Sequence, residues 1–350
     1  MFVLAHLSDP HLGPLPWPRP AELTPKRVLG YANWRRRRHV IHRAEALDAI
    51  VADLRRAAPR PDHIAVTGDL VNIALPFEFE RARRWLERLG SPQQVSLVPG
   101  NHDAYVAAAA RHRERHWAQY MEWDEELAAR SGAEPADRGS GGDGSGRGRP
   151  GGAKGVEGTV GVAGAMTEMR GSATTFPYLR RRGAVALVGL STAVATPLFM
   201  ATGRLGEAQI AGAAAMLARL GEAGLFRVVM IHHPPVSAAS SRHKRLIDAA
   251  ALRQAIAAAG AELVIHGHDH VRSLAWLPGR GAGARVAVIG VPSASAVPGG
   301  RHEAAAYNLY RIGAGTGPGA WNCEVVSRGL RADGTVGEID RINLSWPQRG

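Results

Sequence analysis

The chain has 350 residues, of which 45% are hydrophobic and 21% charged, and this composition excludes an intrinsically disordered protein. A single cysteine, Cys323, excludes an intrachain disulfide and favours a reducing compartment. The formal net charge of +12 favours acidic partners, although an arginine-rich base composition alone would also produce it.

The ends of the chain and its apolar runs bear on where the protein resides. The start, MFVLAHLSDPHLG, contains neither a basic region nor a small-residue cleavage site, so we expect no signal peptide. No apolar stretch reaches the roughly 20 residues that span a bilayer. We therefore predict a cytoplasmic protein without a transmembrane segment, whose oligomeric state the sequence leaves open.

Strand and helix patterns alternate along most of the chain. Apolar runs predict strands at Phe2–Leu7, His63–Thr67, Val95–Val98, Ala184–Leu190, Arg227–Ile231, Glu262–Ile265 and Arg285–Val291. Helical spacing predicts helices at Arg38–Ala57, Phe77–Leu89, Ala104–Ala129, Glu207–Leu220 and Leu246–Ala259. Alternating residues near the end predict an antiparallel meander over Ala304–Ile312, Trp321–Ser327 and Glu338–Leu344. This order predicts a layered α/β sandwich.

One stretch interrupts the pattern. Gly139–Gly155 reads GSGGDGSGRGRPGGAKG and has almost nothing to bury, which predicts a flexible insert within about 131–172 of a single domain over 1–350. A phosphate-binding loop is the alternative, but such a loop needs Gly-Lys followed by Ser or Thr at the start of a helix.

Side chains that bind metals follow five of the predicted strands. In open α/β sheets, sites form beyond the carboxyl ends of strands, so these groups are expected to converge. Alternate residues of an extended segment also share a face, which predicts that neighbouring ligands in each stretch point the same way. The stretches are Asp9-Pro10-His11, Thr67-Gly68-Asp69, Gly100-Asn101-His102-Asp103, His232-His233-Pro234-Pro235 and His266-Gly267-His268-Asp269-His270.

The donor set indicates which ions would bind. Carboxylate, imidazole and amide donors without thiolate suit divalent Mn, Fe or Zn. The donors are too many for one ion, and two ions about 3.5–4 Å apart, bridged by a carboxylate, are typical of phosphate ester hydrolysis.

The ordered set Asp-x-His, Gly-Asp, Gly-Asn-His-Asp, His and Gly-His-x-His resembles that of the calcineurin-like metallophosphoesterases, and it spans Asp9 to His270. The spelling of the last three blocks is most similar to the bacterial class III cyclic-nucleotide phosphodiesterase branch. The resemblance implies an α/β/β/α sandwich with mixed central sheets and two divalent metal ions that activate a hydroxide for attack on phosphorus. It implies hydrolysis of phosphodiester or phosphomonoester bonds in a phosphorylated small molecule, with cyclic nucleotides as one candidate.

The resemblance also implies roles for individual residues. One ion would be bound by Asp9, His11 and His270, the other by Asn101, His232 and His268, with Asp69 bridging both and His102 contacting the phosphate. Supporting roles beside the ligands are expected for Asn72, Asp103 and His266. Many family phosphatases carry an aspartate at the position of Asn72, and here its amide is expected to orient His102.

Two alternatives remain open at this point. A nuclease of the same superfamily fits the positive charge, although no appended DNA-binding motif is visible. A non-catalytic scaffold on the same fold would be expected to lack ligands, and none is missing. The run Arg35–Arg38 is expected to be solvated, with a phosphate-attracting rim as its alternative.

Overall fold

The structure is a computed structural model. It describes residues 1–124, 176–236, 241–300, 303–317 and 319–347. The predicted insert at 131–172, including Gly139–Gly155, lies outside the described residues.

The first sheet joins strands from both ends of the chain. The central strand β1 pairs in parallel with β2, which pairs in parallel with β3, and on its other side β1 pairs antiparallel with β10. The sheet is completed by antiparallel β11 and β12, giving the order β12-β11-β10-β1-β2-β3. The strands are β1 (Phe2–Leu7), β2 (His63–Val66), β3 (Val95–Leu97), β10 (Ala306–Ala314), β11 (Trp321–Leu330) and β12 (Val336–Trp346).

The second sheet is built from the middle of the chain. Its four inner strands are parallel, and each edge carries one antiparallel strand, in the order β4-β5-β6-β7-β9-β8. The strands are β4 (Tyr178–Arg182), β5 (Val185–Gly189), β6 (Phe226–Met230), β7 (Leu263–His266), β8 (Ser273–Pro278) and β9 (Arg285–Gly290).

The helices of the described residues are mostly short. A π-helical turn at Trp34–Arg38 continues α1 into α2, and 3₁₀ turns occur at Pro20–Glu22 and Ala118–Tyr120. None of these helices combines the length and apolarity that a bilayer crossing requires. The helices are α1 (Pro25–Asn33), α2 (His39–Ile41), α3 (Ala44–Arg56), α4 (Pro76–Leu89), α5 (Ala109–Trp117), α6 (Glu207–Glu222) and α7 (Ala249–Ala259).

Strand alternation divides the core into layers. In β5, Val185 and Leu187 pack into the core that contains the first sheet, whereas Ala186 and Val188 pack with residues of α6 and α7. Helices α3 and α4 contribute buried residues such as Ile50 to the core of the first sheet. Because each sheet is mixed and carries helices, the predicted α/β/β/α sandwich is confirmed.

The sequence patterns located most elements but not all of them. The edge strands β4 and β8 were not predicted, and two helix predictions are wrong. The predicted helix Arg38–Ala57 is interrupted because His42 and Arg43 are extended and His42 forms a bridge with Ala296. The predicted helix Ala104–Ala129 is helical only from Ala109, since residues 104–108 form turns, and residues beyond 124 are outside the described part.

A buried ion pair ties the second sheet to its helices. The main-chain N–H and Nε of Arg227 donate to Glu262 Oε2 over 2.7 and 3.1 Å, and its Nη2 donates to Oε1 over 3.0 Å. Arg227 Nη1 donates to the carbonyls of Leu217 in α6 and Ala259 in α7 over 2.9 and 3.0 Å. Both charged side chains are 2% exposed. The guanidinium therefore satisfies helix-end carbonyls only while Glu262 balances its charge.

We predict that Glu262→Gln lowers the free energy of unfolding by about 3 kcal/mol, because it leaves a buried guanidinium without its counter-charge. Urea unfolding monitored by circular dichroism measures this loss. The matched control is Glu222→Gln, at an exposed glutamate at the end of α6. An equal effect of the two substitutions would show that the pair does not stabilise the fold.

Candidate metal centre

All seven predicted metal ligands follow the carboxyl ends of strands. The strands β1, β2 and β3 are neighbours in the first sheet, and β6 and β7 are neighbours in the second. The loops after these strands meet, and they bring together residues up to 261 positions apart in the chain. Asp9 and His11 follow β1, Asp69 follows β2, Asn101 follows β3, His232 follows β6, and His268 and His270 follow β7.

These side chains do not converge by strand alternation. The prediction that they share one face of an extended segment is therefore wrong. Strand β1 ends at Leu7 and β7 ends at His266, before the ligands begin. Five of the predicted ligands have left-handed backbone conformations, with φ between 39° and 69°. Such angles are costly for residues with a side chain and persist where the surroundings enforce them, often at functional sites. The five are Asp9, His11, Asp69, His268 and His270.

One group of donor atoms gathers around Asp9. His270 Nε2 lies 3.0 Å from Asp9 Oδ1 and 3.4 Å from His11 Nε2. His11 Nε2 is 3.9 Å from both Asp9 Oδ1 and Asp69 Oδ2. His11 Nδ1 donates to the carbonyl of Val71 over 3.3 Å, so its Nε2 carries the free lone pair. Two carboxylates and two imidazoles therefore direct electron pairs at one point.

A second group gathers around His232. Its Nδ1 donates to the carbonyl of Thr67 over 2.6 Å, which leaves Nε2 to face Asn101 Oδ1 at 3.3 Å and Asp69 Oδ2 at 3.5 Å. The ring of His268 lies 5.2 Å from that of His232, and its Nε2 donates to the carbonyl of Lys244 over 2.8 Å. The remaining nitrogen of His268, Nδ1, is its available donor.

The spacing of these atoms fits bound cations. Donor atoms that each lie about 2.1 Å from one ion are separated from one another by roughly 3.0–3.4 Å in octahedral or tetrahedral coordination. The shortest separations in the two groups, 3.0 Å and 3.3 Å, fall in this interval. Asp69 Oδ2 belongs to both groups, because it lies 3.9 Å from His11 Nε2 and 3.5 Å from His232 Nε2. The donor set thus fits two divalent ions.

Two more histidines border these groups. His233 accepts from Thr192 Oγ1 at Nδ1 over 2.7 Å and donates from Nε2 to the carbonyl of Ala201 over 3.0 Å, so neither nitrogen is available to an ion. His42 packs 4.5 Å from the ring of His11, and its Nδ1 bonds to Ser295 Oγ over 3.0 Å. His42 is therefore buried beside the candidate ligands.

Residues 2–148 match the family described as calcineurin-like phosphoesterase. Over these residues the match agrees with the resemblance seen in the motifs. A 54-residue segment is 43% identical to the glycerophosphodiester phosphodiesterase GpdQ of Enterobacter lignolyticus, and it covers 15% of this chain and 19% of that protein. The matched segment thus spans about a fifth of that relative.

A comparison of folds covers nearly the whole chain, unlike the sequence matches. A crystal structure of a dimetal phosphatase from Danio rerio superposes with a TM-score of 0.54 and 12% identity, covering 99% of both chains. The fold shared with that phosphatase therefore includes the second sheet, which lies beyond the matched residues 2–148.

His102 is held beside both donor groups. Its main-chain N–H donates to Asp69 Oδ1 over 2.7 Å, while the other oxygen, Oδ2, faces His11 and His232. The ring Nδ1 donates to the main-chain carbonyl of Asn72, and the ring stacks on Tyr105 at 5.6 Å. The expectation that the Asn72 amide orients His102 is wrong, because the amide nitrogen instead donates to the carbonyl of Leu12 over 3.1 Å.

Burial and neighbouring charges set the pKa values of the site. Burial opposes ionisation of Asp9, but His270 and His232 outweigh it and keep the pKa of this carboxyl well below its usual range. Burial would lower the pKa of His232, yet Asp69 raises it to about 10. Burial and then Arg38 lower the pKa of His102 to about 3. The lowered pKa values of Asp9 and Asp69 keep both carboxylates ionised, as cation binding requires.

Asp103 joins two of the loops that carry the candidate ligands. Its carboxylate accepts from the main-chain N–H groups of Asp69, Leu70, Val71 and Gly100 over 2.8–3.1 Å. Burial and the charge of Asp69 raise the pKa of Asp103 to about 7, whereas the bonds from Gly100 and Val71 oppose this rise. These hydrogen bonds give a structural basis for the supporting role predicted for Asp103.

His266 has a different position from that of the other histidines in its stretch. It is the last residue of β7 and is buried, and its Nδ1 bonds to the carbonyl of Gly267 over 3.0 Å. No direct hydrogen bond joins it to a candidate ligand among the described residues. Its supporting role therefore stays a prediction.

The sequence motifs did not mark residues 34–42, a segment with two side chains that contact the site. Arg38 Nη1 lies 3.2 Å from His102 Nδ1, and Arg38 Nη2 lies 3.5 Å from His11 Nε2. His42, in the same segment, packs against His11. No motif marks either residue, and the run of four arginines was expected to be solvated, with a phosphate-attracting rim as its alternative.

We predict that Asp103→Asn lowers the free energy of unfolding by about 3 kcal/mol, because an amide cannot accept from four N–H groups and its own N–H₂ would face donors. Urea unfolding of the metal-free protein provides the value. Asp340→Asn, at an exposed position of β12, is the control for loss of an acidic charge. Similar midpoints for the two variants would contradict this prediction.

A second prediction concerns the close approach of two loops. A Cβ at Gly267 would overlap Ser8 Oγ and Asp9 Oδ2. We expect Gly267→Ala to displace Asp9 and to weaken Mn²⁺ binding about 10-fold or more, as disturbance of ligand geometry does. Gly313→Ala, where a Cβ would meet nothing within 4 Å, is the control, and Mn²⁺ titration of metal-free protein is the measurement. Unchanged affinity in Gly267→Ala would argue against Asp9 as a ligand.

Proposed function

We propose that the protein is a dinuclear metal-dependent phosphoesterase that hydrolyses phosphodiester bonds. The observation that carries this proposal is the position of Asp69 Oδ2, which lies within 3.9 Å of His11 Nε2 and 3.5 Å of His232 Nε2. A carboxylate oxygen shared by two sets of donors is the arrangement that bridges two ions.

Each ion would have its own ligands in addition to the shared Asp69. Asp9, His11 and His270 would bind one ion, and Asn101, His232 and His268 would bind the other. Nitrogen and oxygen donors without thiolate suit Mn, Fe or Zn. Ions bound there would lower the pKa of water to supply a nucleophile and would neutralise charge on the phosphoryl oxygens.

His102 would act on the substrate rather than on an ion. Because Nδ1 donates to the carbonyl of Asn72, Nε2 is the nitrogen that remains for a substrate. The metal-free ring is neutral, since burial and Arg38 lower its pKa to about 3. A bound phosphoryl anion raises that pKa, and the protonated Nε2 can then donate to a phosphoryl oxygen or to the departing alkoxide.

Fewer observations support the substrate class than support the reaction type. The GpdQ relative is named a glycerophosphodiester phosphodiesterase, which supports a phosphodiester over a phosphomonoester. The net charge of +12 suits an anionic substrate. Cyclic nucleotides and other small phosphodiesters are therefore the first compounds to screen, and DNA hydrolysis that falls steeply with salt would instead indicate a nuclease.

We predict that chelator-treated protein regains hydrolysis of bis(p-nitrophenyl) phosphate when Mn²⁺, Fe²⁺ or Zn²⁺ is added. His102→Ala should lower kcat about 10²–10⁴-fold, as loss of a proton donor does. Asp69→Asn should lower both the activity and the number of ions bound per chain. His116→Ala, on α5, is the control for removing an imidazole.

The measurements are initial rates together with metal content of the same sample. Absence of turnover with every divalent ion would favour a non-catalytic scaffold. Full activity of Asp69→Asn would exclude the proposed bridging role.

A further inference from the structure

The backbone directs one of the four arginines of Arg35–Arg38 away from the other three. Arg35, Arg36 and Arg37 are exposed, whereas Arg38 is partly buried and reaches His11 and His102. These residues belong to the π-helical turn Trp34–Arg38, whose extra residue per turn changes the direction of the side chains that follow. Turns of this kind occur often at functional sites.

The backbone of the turn is fixed on both sides. Trp34 is buried in a small apolar cluster with Tyr31, Leu15, Ile73 and Leu75. The main-chain N–H of His42 donates to the carbonyl of Arg38 over 2.8 Å. The inward direction of Arg38 is therefore set by packing.

The hydrogen-bond contacts of the Arg38 guanidinium are with two imidazoles, and bound ions would remove the acceptor that they offer. Its Nη1 lies 3.2 Å from His102 Nδ1, but that nitrogen already donates its hydrogen to the carbonyl of Asn72 and cannot also accept. Its Nη2 lies 3.5 Å from His11 Nε2, the lone pair that faces the candidate ions. Once an ion takes that lone pair, neither imidazole offers an acceptor to the guanidinium.

The positive charge of Arg38 also has no carboxylate close to it among the described residues. Among the described residues, no carboxylate oxygen lies within 4.0 Å of its guanidinium nitrogens. Asp69 and Asp9 stabilise its positive charge from a greater distance. Two divalent ions would neutralise those carboxylates and leave three cationic groups around one space, which only an anion can balance.

We propose that Arg38 is a substrate-binding residue that donates hydrogen bonds to a non-bridging oxygen of the phosphoryl group beside His102. This inference rests on the proposed dinuclear function and adds to it a third positive group on the substrate. A guanidinium offers two parallel donors to a phosphate, which an ammonium cannot match.

The proposal predicts opposite effects on the two kinds of ligand. Removing the guanidinium removes donors to phosphate, which weakens anion binding. It also removes a positive charge beside the ion site, which leaves the affinity for Mn²⁺ unchanged or increases it. A purely structural role for Arg38 would instead weaken both.

The experiment compares Arg38→Gln, Arg38→Lys and Arg36→Gln, the last at an exposed arginine of the same turn. Calorimetric titration of the Mn²⁺-loaded protein with inorganic phosphate gives the anion affinity, and titration of the metal-free protein with Mn²⁺ gives the ion affinity. We expect phosphate to bind about 10–100-fold more weakly to Arg38→Gln, in line with loss of charged hydrogen bonds. We expect a loss of about fivefold in Arg38→Lys, which keeps the charge, and less than about twofold in Arg36→Gln.

Equal phosphate affinities in Arg38→Gln and Arg36→Gln would overturn the proposal, as would a parallel loss of Mn²⁺ affinity in Arg38→Gln. If Arg38→Gln does not fold, Arg38→Lys decides, and wild-type phosphate affinity in that variant overturns the bidentate contact. The experiment also distinguishes failure of this proposal from failure of the proposed function. Wild-type protein without phosphoesterase activity whose phosphate binding still depends on Arg38 would refute the activity and support the anion site.

Discussion

The geometry of the candidate centre depends on one carboxylate that accepts four main-chain hydrogen bonds. Asp103 holds the N–H groups of Asp69, Leu70, Val71 and Gly100, and so joins the loops after β2 and β3. This bonding stabilises the left-handed backbone of Asp69, with φ of 54°, which would otherwise relax. The loops also approach so closely that a Cβ at Gly100 would overlap Asp69 Oδ1. Compact, strained loops thus place one carboxylate where two sets of donors meet.

The centre lies where two sheets meet, and each sheet supplies part of it. The first sheet supplies two carboxylates, an amide and the imidazole of His11, and the second supplies three imidazoles. His268 N–H donates to Asp9 Oδ2 over 3.0 Å, and His270 Nε2 lies 3.0 Å from Asp9 Oδ1. Asp9 therefore contacts the second sheet through both oxygens. Ion binding at such a junction couples the stability of the sandwich to the occupancy of the site.

Much of the fold and the place of the site could be predicted because strand ends combine apolar runs with glycine and donor residues. The family resemblance added which donors belong together. The direction of side chains could not be predicted, since His268 and His270 follow β7 in left-handed turns, whose angles the sequence does not signal. Strand β4 was missed because it is rich in arginine, and Arg180 is buried by donating to carbonyls of Val95 and Gln119. The inward turn of Arg38 depends on packing of Trp34, a tertiary effect.

The pairing of β1 has a consequence for synthesis of the protein. Its neighbours in the sheet are β2, made early, and β10, made near the end of the chain. A nascent chain that has just left the ribosome up to residue 260 presents Asp9 and Asp69 without the imidazoles of His268 and His270. Ion capture at that stage would involve an incomplete set of ligands on an open sheet edge. The full set of candidate ligands is therefore present only after residue 270 has been made, and β1 gains its second neighbour only with β10.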